Sequence, residues 1–382
     1  MITGRQRGAG SQKALHARNV DAVVTALRAA RDLSQADIAR VTGLSAGSVS
    51  AIVHDLAKAG RIAISPNARR QRINLCAPPG LVAGVDIGRS HVRLLLGDLA
   101  GDVVAESMKR LEPGTTMTAT IAEIARQLAE VVAAAPPGDV LGACVGVAGP
   151  ISSTTGAIVA PTLLPEWFDT DIAAAFTASL GLPVIVENDA NLGAIAEARV
   201  NPPDEDLVYI KVGTGVGGGI VLGGRLRRGA SNAAGEIGHM PMEPNGVLCR
   251  CGNRGCVETV ASVPAIMDAL RMRMPPVATI DDVVALALAG DASCARVLAE
   301  AGAAIGFAAA IVCTLLNPHH IVVGGSIVAA GDLVLGPLRD ALRRNAVPAS
   351  GNNARVTASA YGDRASAVGA LLLAGDAFTP AY

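Results

Sequence analysis

The sequence predicts a two-part chain in which a small basic helical unit precedes a larger α/β unit of two similar lobes. Three observations lead there. The 382 residues exceed what one small domain holds. Hydrophobic residues make up 51% and aromatic residues 2%, so the cores are built from Ala, Val, Leu and Ile, which suits packed strands and helices. Charge is divided unevenly: residues 1–75 hold twelve Lys or Arg against four Asp, a formal charge of +8 that leaves −9 for the remainder of a chain whose net charge is −1. A basic module is joined to an acidic one.

The first twenty residues are basic and lack the apolar run of a signal peptide, and residues 1–18 read as a flexible basic arm. The longest uncharged apolar stretch, 301–316, is broken by Gly302 and Gly306 and falls short of the ~20 residues of a membrane span. It reads as a buried helix, with no membrane partner expected. Of seven cysteines, three crowd into CRCGNRGC, a spacing suited to a metal in a reducing cytoplasm rather than to disulfides.

Residues 19–76 form the first unit. Val20, Val23, Val24 and Leu27 share one helical face, Ser34 can cap a second helix running to about residue 41, and Thr42, Gly43 and Leu44 supply a turn. Ser45 can cap a third helix in which Val49, Ile52, Val53 and Leu56 form the buried stripe, leaving Ser48, Ser50 and His54 outward. That is helix-turn-helix spacing. Two strand-like pieces, 61–65 and 71–75, then flank a basic tip, so Arg69, Arg70 and Arg72 are candidate phosphate contacts on double-stranded DNA. With no Arg, Asn or Gln on the exposed face of the third helix, base reading by Ser48, Ser50 and His54 would discriminate modestly. A three-helix dimerisation unit is the alternative; the basic charge, the turn and the wing together favour DNA.

Pro78, Pro79 and Gly80 mark the boundary, and the second unit runs from 81 to 382. Residues 82–101 and 207–226 resemble each other: a buried strand, a tight Gly/Ser/Thr turn and a second strand. A strand-turn-strand heading each of two halves predicts duplicated lobes closing on a phosphate, held by backbone N–H groups of the glycine turns and by Ser90 and Thr214. A third glycine turn, at Gly324 and Gly325, is placed where a nucleoside could rest and equally reads as an ordinary strand end. Residues 184–191 are a strand running into Asn188 and Asp189 as a helix begins. Asp189 can accept the proton of a substrate hydroxyl while Asn188 orients that substrate; the alternative is that Asp189 caps the helix. Further on, His239, Cys249, Cys251 and Cys256 supply four donors, the number that fills a structural tetrahedral zinc site and leaves none open for catalysis. The loop 239–256 so fixed would present Glu236, His239 and Glu258, groups suited to a polyhydroxyl ligand.

The chain resembles the ROK family (repressors, open reading frames and sugar kinases) over nearly its whole length. The resemblance is carried by the winged helix-turn-helix, DIGRS at 86–90, CVGVAGP at 144–150, ENDAN at 187–191, VGTGVGGG at 212–219 and GEIGH through CRCGNRGCVE at 235–258. It implies an actin-like, hexokinase-type fold of two lobes with sugar and nucleotide in the cleft. On that resemblance Asp189 is a general base and Asn188, Glu236, His239, Glu258, Gly149 and Thr162 line the sugar. Asp86, Gly88 and Ser90 belong to the first phosphate motif, Gly213, Thr214, Gly215 and Gly217 to the second, and Gly324 and Gly325 to an adenosine motif. One departure stands out: family kinases read D-x-G-G-T where this chain has Arg89 and Ser90, and the Arg89 side chain stands where backbone would meet phosphate, which weighs against ATP binding but not against sugar binding. A sugar-responsive transcriptional regulator acting as a homodimer or homotetramer is the expected function, with an ATP- and Mg²⁺-dependent hexose or N-acetylhexosamine kinase as the alternative.

Overall fold

A computed structural model of the protein describes residues 16, 18–20, 22–27, 32–58, 60–65, 71–75, 80–112, 114–152, 155–158, 167–168, 170–275 and 278–379. The wing tip with Arg69 and Arg70, most of the 1–18 arm, the boundary at 76–79 and Thr162 lie outside the described residues.

The N-terminal unit follows its sequence pattern. Residues 18–20 and 22–27 are helical. Helix α1 (Gln35–Thr42) starts at Ser34, whose hydroxyl accepts the Asp37 N–H while the Asp37 carboxylate accepts the Ser34 N–H, so two otherwise orphaned donors are satisfied reciprocally. Helix α2 (Ala46–Lys58) follows, with Ser45 Oγ accepting the Ser48 N–H at 3.2 Å. Its Val49, Ile52, Val53 and Leu56 pack with Val23, Val24, Leu27 and Ile38 in a core separate from the rest. Strands β1 (Ile62–Ser65) and β2 (Arg72–Leu75) pair antiparallel, and Leu33 bridges to Ile73. Ser34→Ala should cost this unit about 1 kcal/mol through loss of the cap, seen as a lower urea midpoint for the N-terminal transition.

From Leu81 the chain builds two five-stranded sheets. The first contains β3 (Leu81–Ile87), β4 (His91–Asp98), β5 (Val103–Arg110), β6 (Val140–Val147) and β7 (Val184–Asn188) in the order β5-β4-β3-β6-β7. The second contains β8 (Leu207–Val212), β9 (Val216–Leu222), β10 (Arg225–Leu226), β11 (His320–Gly325) and β12 (Arg355–Ala358) in the order β10-β9-β8-β11-β12. In each, the first three strands form an antiparallel meander and the last two add parallel to the first strand's other edge. The repeat seen in sequence is thus a repeat of topology.

Period-2 alternation decides which side chains meet which helices. On β3, Leu81, Ala83, Val85 and Ile87 face α3 (Met117–Ala134) and α4 (Ile172–Leu180). Val82 faces the other way, onto α5 (Asp189–Val200) and the helix that ends the described chain, residues 365–378. On β8, Val208, Ile210 and Val212 enter a core with α6 (Glu258–Ala261), α7 (Val263–Leu270), α8 (Ile280–Leu288), α9 (Ala292–Leu316) and α10 (Asp332–Asn345). Leu207 and Tyr209 face α5 and the N-terminus of α11 (Ala365–Phe378). Helices α5 and α11 are therefore shared between the lobes. The apolar stretch at 301–316 belongs to a longer helix than expected, since Asp291 caps α9 from its start at Ala292. By length and composition α9 qualifies as a membrane span, yet 61% of its most apolar window is buried, as for the core helix of a lobe.

Candidate functional site

A cleft of about 810 Å³, counted with its open mouth, lies where the two sheets meet. The first lobe contributes Gly88, Arg89 and His91 from the β3–β4 turn, Gly149 after β6, and Asn188 and Asp189 at the β7–α5 junction. The second contributes Lys211 from β8, Gly213, Thr214 and Gly215 from the β8–β9 turn, Gly217 from β9, Glu236, His239 and Arg250 from the segment beyond β10, and Glu258 at the start of α6.

Asn188 caps α5: its Oδ1 accepts the N–H groups of Ala190 and Asn191 at 2.9 and 3.0 Å, and its amide donates to the Gly149 carbonyl at 3.1 Å. The capping role weighed for Asp189 thus falls to its neighbour. Asp189 Oδ1 still accepts the Ala190 N–H at 2.8 Å, but its carboxylate lines the cleft. Glu187, buried beneath, accepts from the Asn188 N–H, the Asn191 amide and, at 2.6 Å, Arg228 Nε. Glu187 and Arg228 hold the turn and were not singled out from the sequence, because Arg228 lies far along the chain.

The most consequential group missed in sequence is Lys211. Alternation on β8 puts it on the face of Tyr209, toward the first lobe. Its ammonium lies 2.9 Å from Asp189 Oδ2, 3.3 Å from Asp86 Oδ1 and 2.9 Å from Ser366 Oγ. Ser366 in turn donates to the Asp189 carbonyl at 2.8 Å. Burial works against the ammonium, but the carboxylates of Asp189 and Asp86 outweigh it and hold the lysine above its ordinary pKa. For Asp86, burial opposes ionisation while Lys211 and His91, whose Nε2 lies 3.5 Å away, keep the carboxyl below its usual range. A lone lysine in an otherwise buried strand was the available signal.

The loop carrying Glu236 and His239 is pressed onto β9. Gly235 has φ +95°, its carbonyl accepts the Gly218 N–H at 2.7 Å, and a Cβ there would lie 2.0 Å from the Gly218 oxygen, so only glycine fits. His239 Nε2 faces Glu236 at 3.7 Å, while Nδ1 lies 3.6 Å from Cys249 Sγ. Burial and the carboxylates of Asp189 and Glu258 push Glu236 up to about 7. The donor atoms of His239, Cys249, Cys251 and Cys256 all lie within 4.8 Å of one another, with Cys251 and Cys256 sulfurs 3.7 Å apart. Sulfurs bound to a tetrahedral zinc at ~2.3 Å would be separated by about 3.8 Å, so the donor set fits that ion. Glu258, nearly buried, approaches Cys249 Sγ at 3.4 Å and Arg250 Nε at 3.4 Å.

Several expected residues stand elsewhere. Asp86 lies beneath the cleft, engaged by Lys211, rather than open to a phosphate. Ser90 is exposed and outside the cleft lining, and its carbonyl accepts the Leu111 N–H. Gly324 and Gly325 are also outside the lining. Packing accounts for them: a Cβ at Gly324 would lie 2.1 Å from the Tyr209 hydroxyl oxygen, and one at Gly325, where φ is +96°, 1.8 Å from the Val212 carbonyl oxygen. In the N-terminal unit Ser45, Ser50 and His54 are exposed, but Ser48 is half-buried and bonded to Ser45, and Arg72 donates to the Asp32 carbonyl at 2.9 Å.

A winged helix unit ahead of a two-lobed, kinase-shaped cleft defines a transcriptional regulator built on a sugar-kinase fold. The chain belongs to the ROK family, whose profile matches residues 82–377, and residues 22–73 match the MarR family. It is 27% identical over 348 residues to the xylose repressor of Bacillus subtilis, covering 88% of this chain and 89% of that protein. It is 32% identical over 321 residues to a glucokinase of Streptomyces coelicolor, covering 77% and 98%. Among solved structures, a ROK family transcriptional regulator described as a homologue of the Escherichia coli MLC protein superposes with TM-score 0.75 at 25% identity, over 95% of this chain and 97% of that one.

Proposed function

We propose that the protein is a cytoplasmic, sugar-responsive repressor of carbohydrate genes that binds a double-stranded operator as a homodimer or homotetramer. The observation that carries this reading is the joining of a basic winged helix unit to a cleft on which Asn188, Asp189, Glu236, His239 and Glu258 converge. The two regulators named above align with 88% and 95% of the chain, the glucokinase with 77%. In this reading the exposed Ser50 and His54 read bases, Arg69 and Arg70 hold phosphates, and a structural zinc on His239, Cys249, Cys251 and Cys256 fixes the loop that presents Glu236 and Glu258. A hydroxyl-rich ring would donate to the carboxylates and accept from the Asn188 amide. Closure of the lobes on it would favour one spacing of paired N-terminal units, provided the sugar binds that state better.

The kinase alternative has the glucokinase likeness in its favour and Lys211 and Arg89 against it. The test is a gel-shift titration on the protein's own promoter region, in a salt series, with and without D-xylose, D-glucose and N-acetyl-D-glucosamine. Expected are sequence-preferring binding that weakens steeply with salt and a shift of at least tenfold with one sugar. Equal affinity for promoter and unrelated DNA would sink the repressor reading.

A further inference from the structure

We propose that Lys211 restricts this cleft to an unphosphorylated sugar, held without nucleotide or divalent cation. The inference rests on reading the cleft as a sugar site. An ammonium has three N–H donors, and here three acceptors, Asp189 Oδ2, Asp86 Oδ1 and Ser366 Oγ, lie within 3.3 Å of it. All three ammonium donors are engaged, so Lys211 has none left for an incoming phosphate. Phosphoryl transfer needs a base free to take a proton and a cation that bridges phosphate oxygens. In this cleft the tethered ammonium already fills the space between the two carboxylates. Protonating Asp189 would strip Lys211 of one of its two counter-charges in a buried setting.

A neutral hydroxyl meets no such obstacle. A carboxylate offers about four lone-pair positions, of which the Ala190 N–H and Lys211 occupy two on Asp189. Asp189 therefore remains an acceptor for a sugar O–H. A phosphate ester at the same place would set its charge beside Asp189 and Glu258, with Arg250 already drawn to Glu258. Lys211 is in this sense a specificity-determining residue: its contact with Oδ2 orients the Asp189 carboxylate as an acceptor.

The experiment uses full-length, zinc-loaded protein in calorimetric titrations with D-glucose, N-acetyl-D-glucosamine and D-xylose, and with the 6-phosphates of the first two. The free sugar that binds is expected at least tenfold tighter than its phosphate ester, with an affinity changed less than twofold by Mg²⁺ plus a non-hydrolysable ATP analogue. A phosphate ester that binds as tightly as its parent sugar, or a tenfold gain with Mg²⁺ and nucleotide, overturns the inference. Mn²⁺ alone, followed by its electron paramagnetic resonance signal, supplies a second readout. Lys211→Met, or Lys211→Ser should the first variant fold poorly, is expected to gain a Mn²⁺ site between Asp86 and Asp189 at least tenfold tighter than any the parent protein has. Equal Mn²⁺ binding by variant and parent overturns it. The repressor reading fails separately: a sugar that binds without altering promoter affinity removes that reading and leaves the role of Lys211, whereas promoter release by a phosphate ester does the reverse.

Discussion

Cys256→Ser is expected to empty the four-donor site and abolish sugar binding. Cys256 is fully buried, its sulfur is 3.7 Å from that of Cys251, and its segment is tied to the rest of the loop by a bridge to Pro241 and by the Val257 N–H donating to the Met240 carbonyl. Further backbone bonds, among them those from the Met242 and Glu243 N–H groups to the Gly255 carbonyl and from the Cys249 N–H to the Asn253 carbonyl, shape the loop, and the proposed metal adds to them. A structural zinc is worth about 10–16 kcal/mol in small zinc-finger peptides, and a serine hydroxyl is a poor substitute for a thiolate ligand. The variant should carry almost no zinc, melt at lower temperature, and lose sugar affinity by at least about a hundredfold, because His239 and Glu258 both depend on the loop. Elemental analysis and calorimetry on the same preparation check this. Undiminished sugar affinity in metal-free protein would show that the loop is held by its backbone.

Asp86→Ala should be the most destabilising change in the first sheet. The carboxylate is 1% exposed and faces Lys211 and His91. Removing it leaves a buried ammonium short of one partner, which costs about 3–5 kcal/mol; Asp86→Asn, which keeps the shape and one acceptor, should cost less. The pH dependence has a definite sign. Because the folded protein holds the Asp86 carboxyl below its ordinary range, its contribution is complete at neutral pH. That contribution fades only as pH falls below the ordinary carboxylate value toward the depressed folded one. Urea midpoints followed from neutral pH into the acid range should converge for parent and Asp86→Ala at the acid end. A gap that stays constant would mean the loss is one of packing.

Much of this architecture was legible in the sequence because its signals are local. Caps at Ser34 and Ser45, the stripe from Val49 to Leu56 and the repeated strand-turn-strand each lie within one short window. The candidate four-donor cluster was legible because three of its members lie within eight residues. What escaped depends on residues distant in sequence. Lys211 looked like part of an apolar strand, since Asp86 and Ser366, its partners, are 125 and 155 residues away. At Gly324 and Gly325, which read equally as a nucleoside turn and as an ordinary strand end, the need for glycine comes from the Tyr209 ring and the Val212 carbonyl of a neighbouring strand, distant in sequence. Base and cap are equally legible at Asp189 in the sequence, and only the folded chain shows that the Asn188 side chain accepts the N–H groups of both Ala190 and Asn191.

Helix α11 bears on how the protein comes off the ribosome. It lies directly on β3, where a Cβ on Gly84 would sit 2.3 Å from the Leu371 backbone nitrogen, and it shares a core with Val82, Leu95 and Cys144 of the first sheet. The first lobe is thus discontinuous: its opening strands emerge early, the whole second lobe is synthesised next, and only then does the covering helix arrive. At ~5–20 residues per second the interval between β3 and α11 is on the order of tens of seconds. During that time one face of the nascent sheet has only α5 against it and is otherwise open to chaperones or to aggregation, whereas the N-terminal winged unit, whose core is its own, can fold as soon as it clears the exit tunnel. A nascent chain stalled before residue 365 would therefore already carry a formed DNA-binding unit but an unfinished sensor.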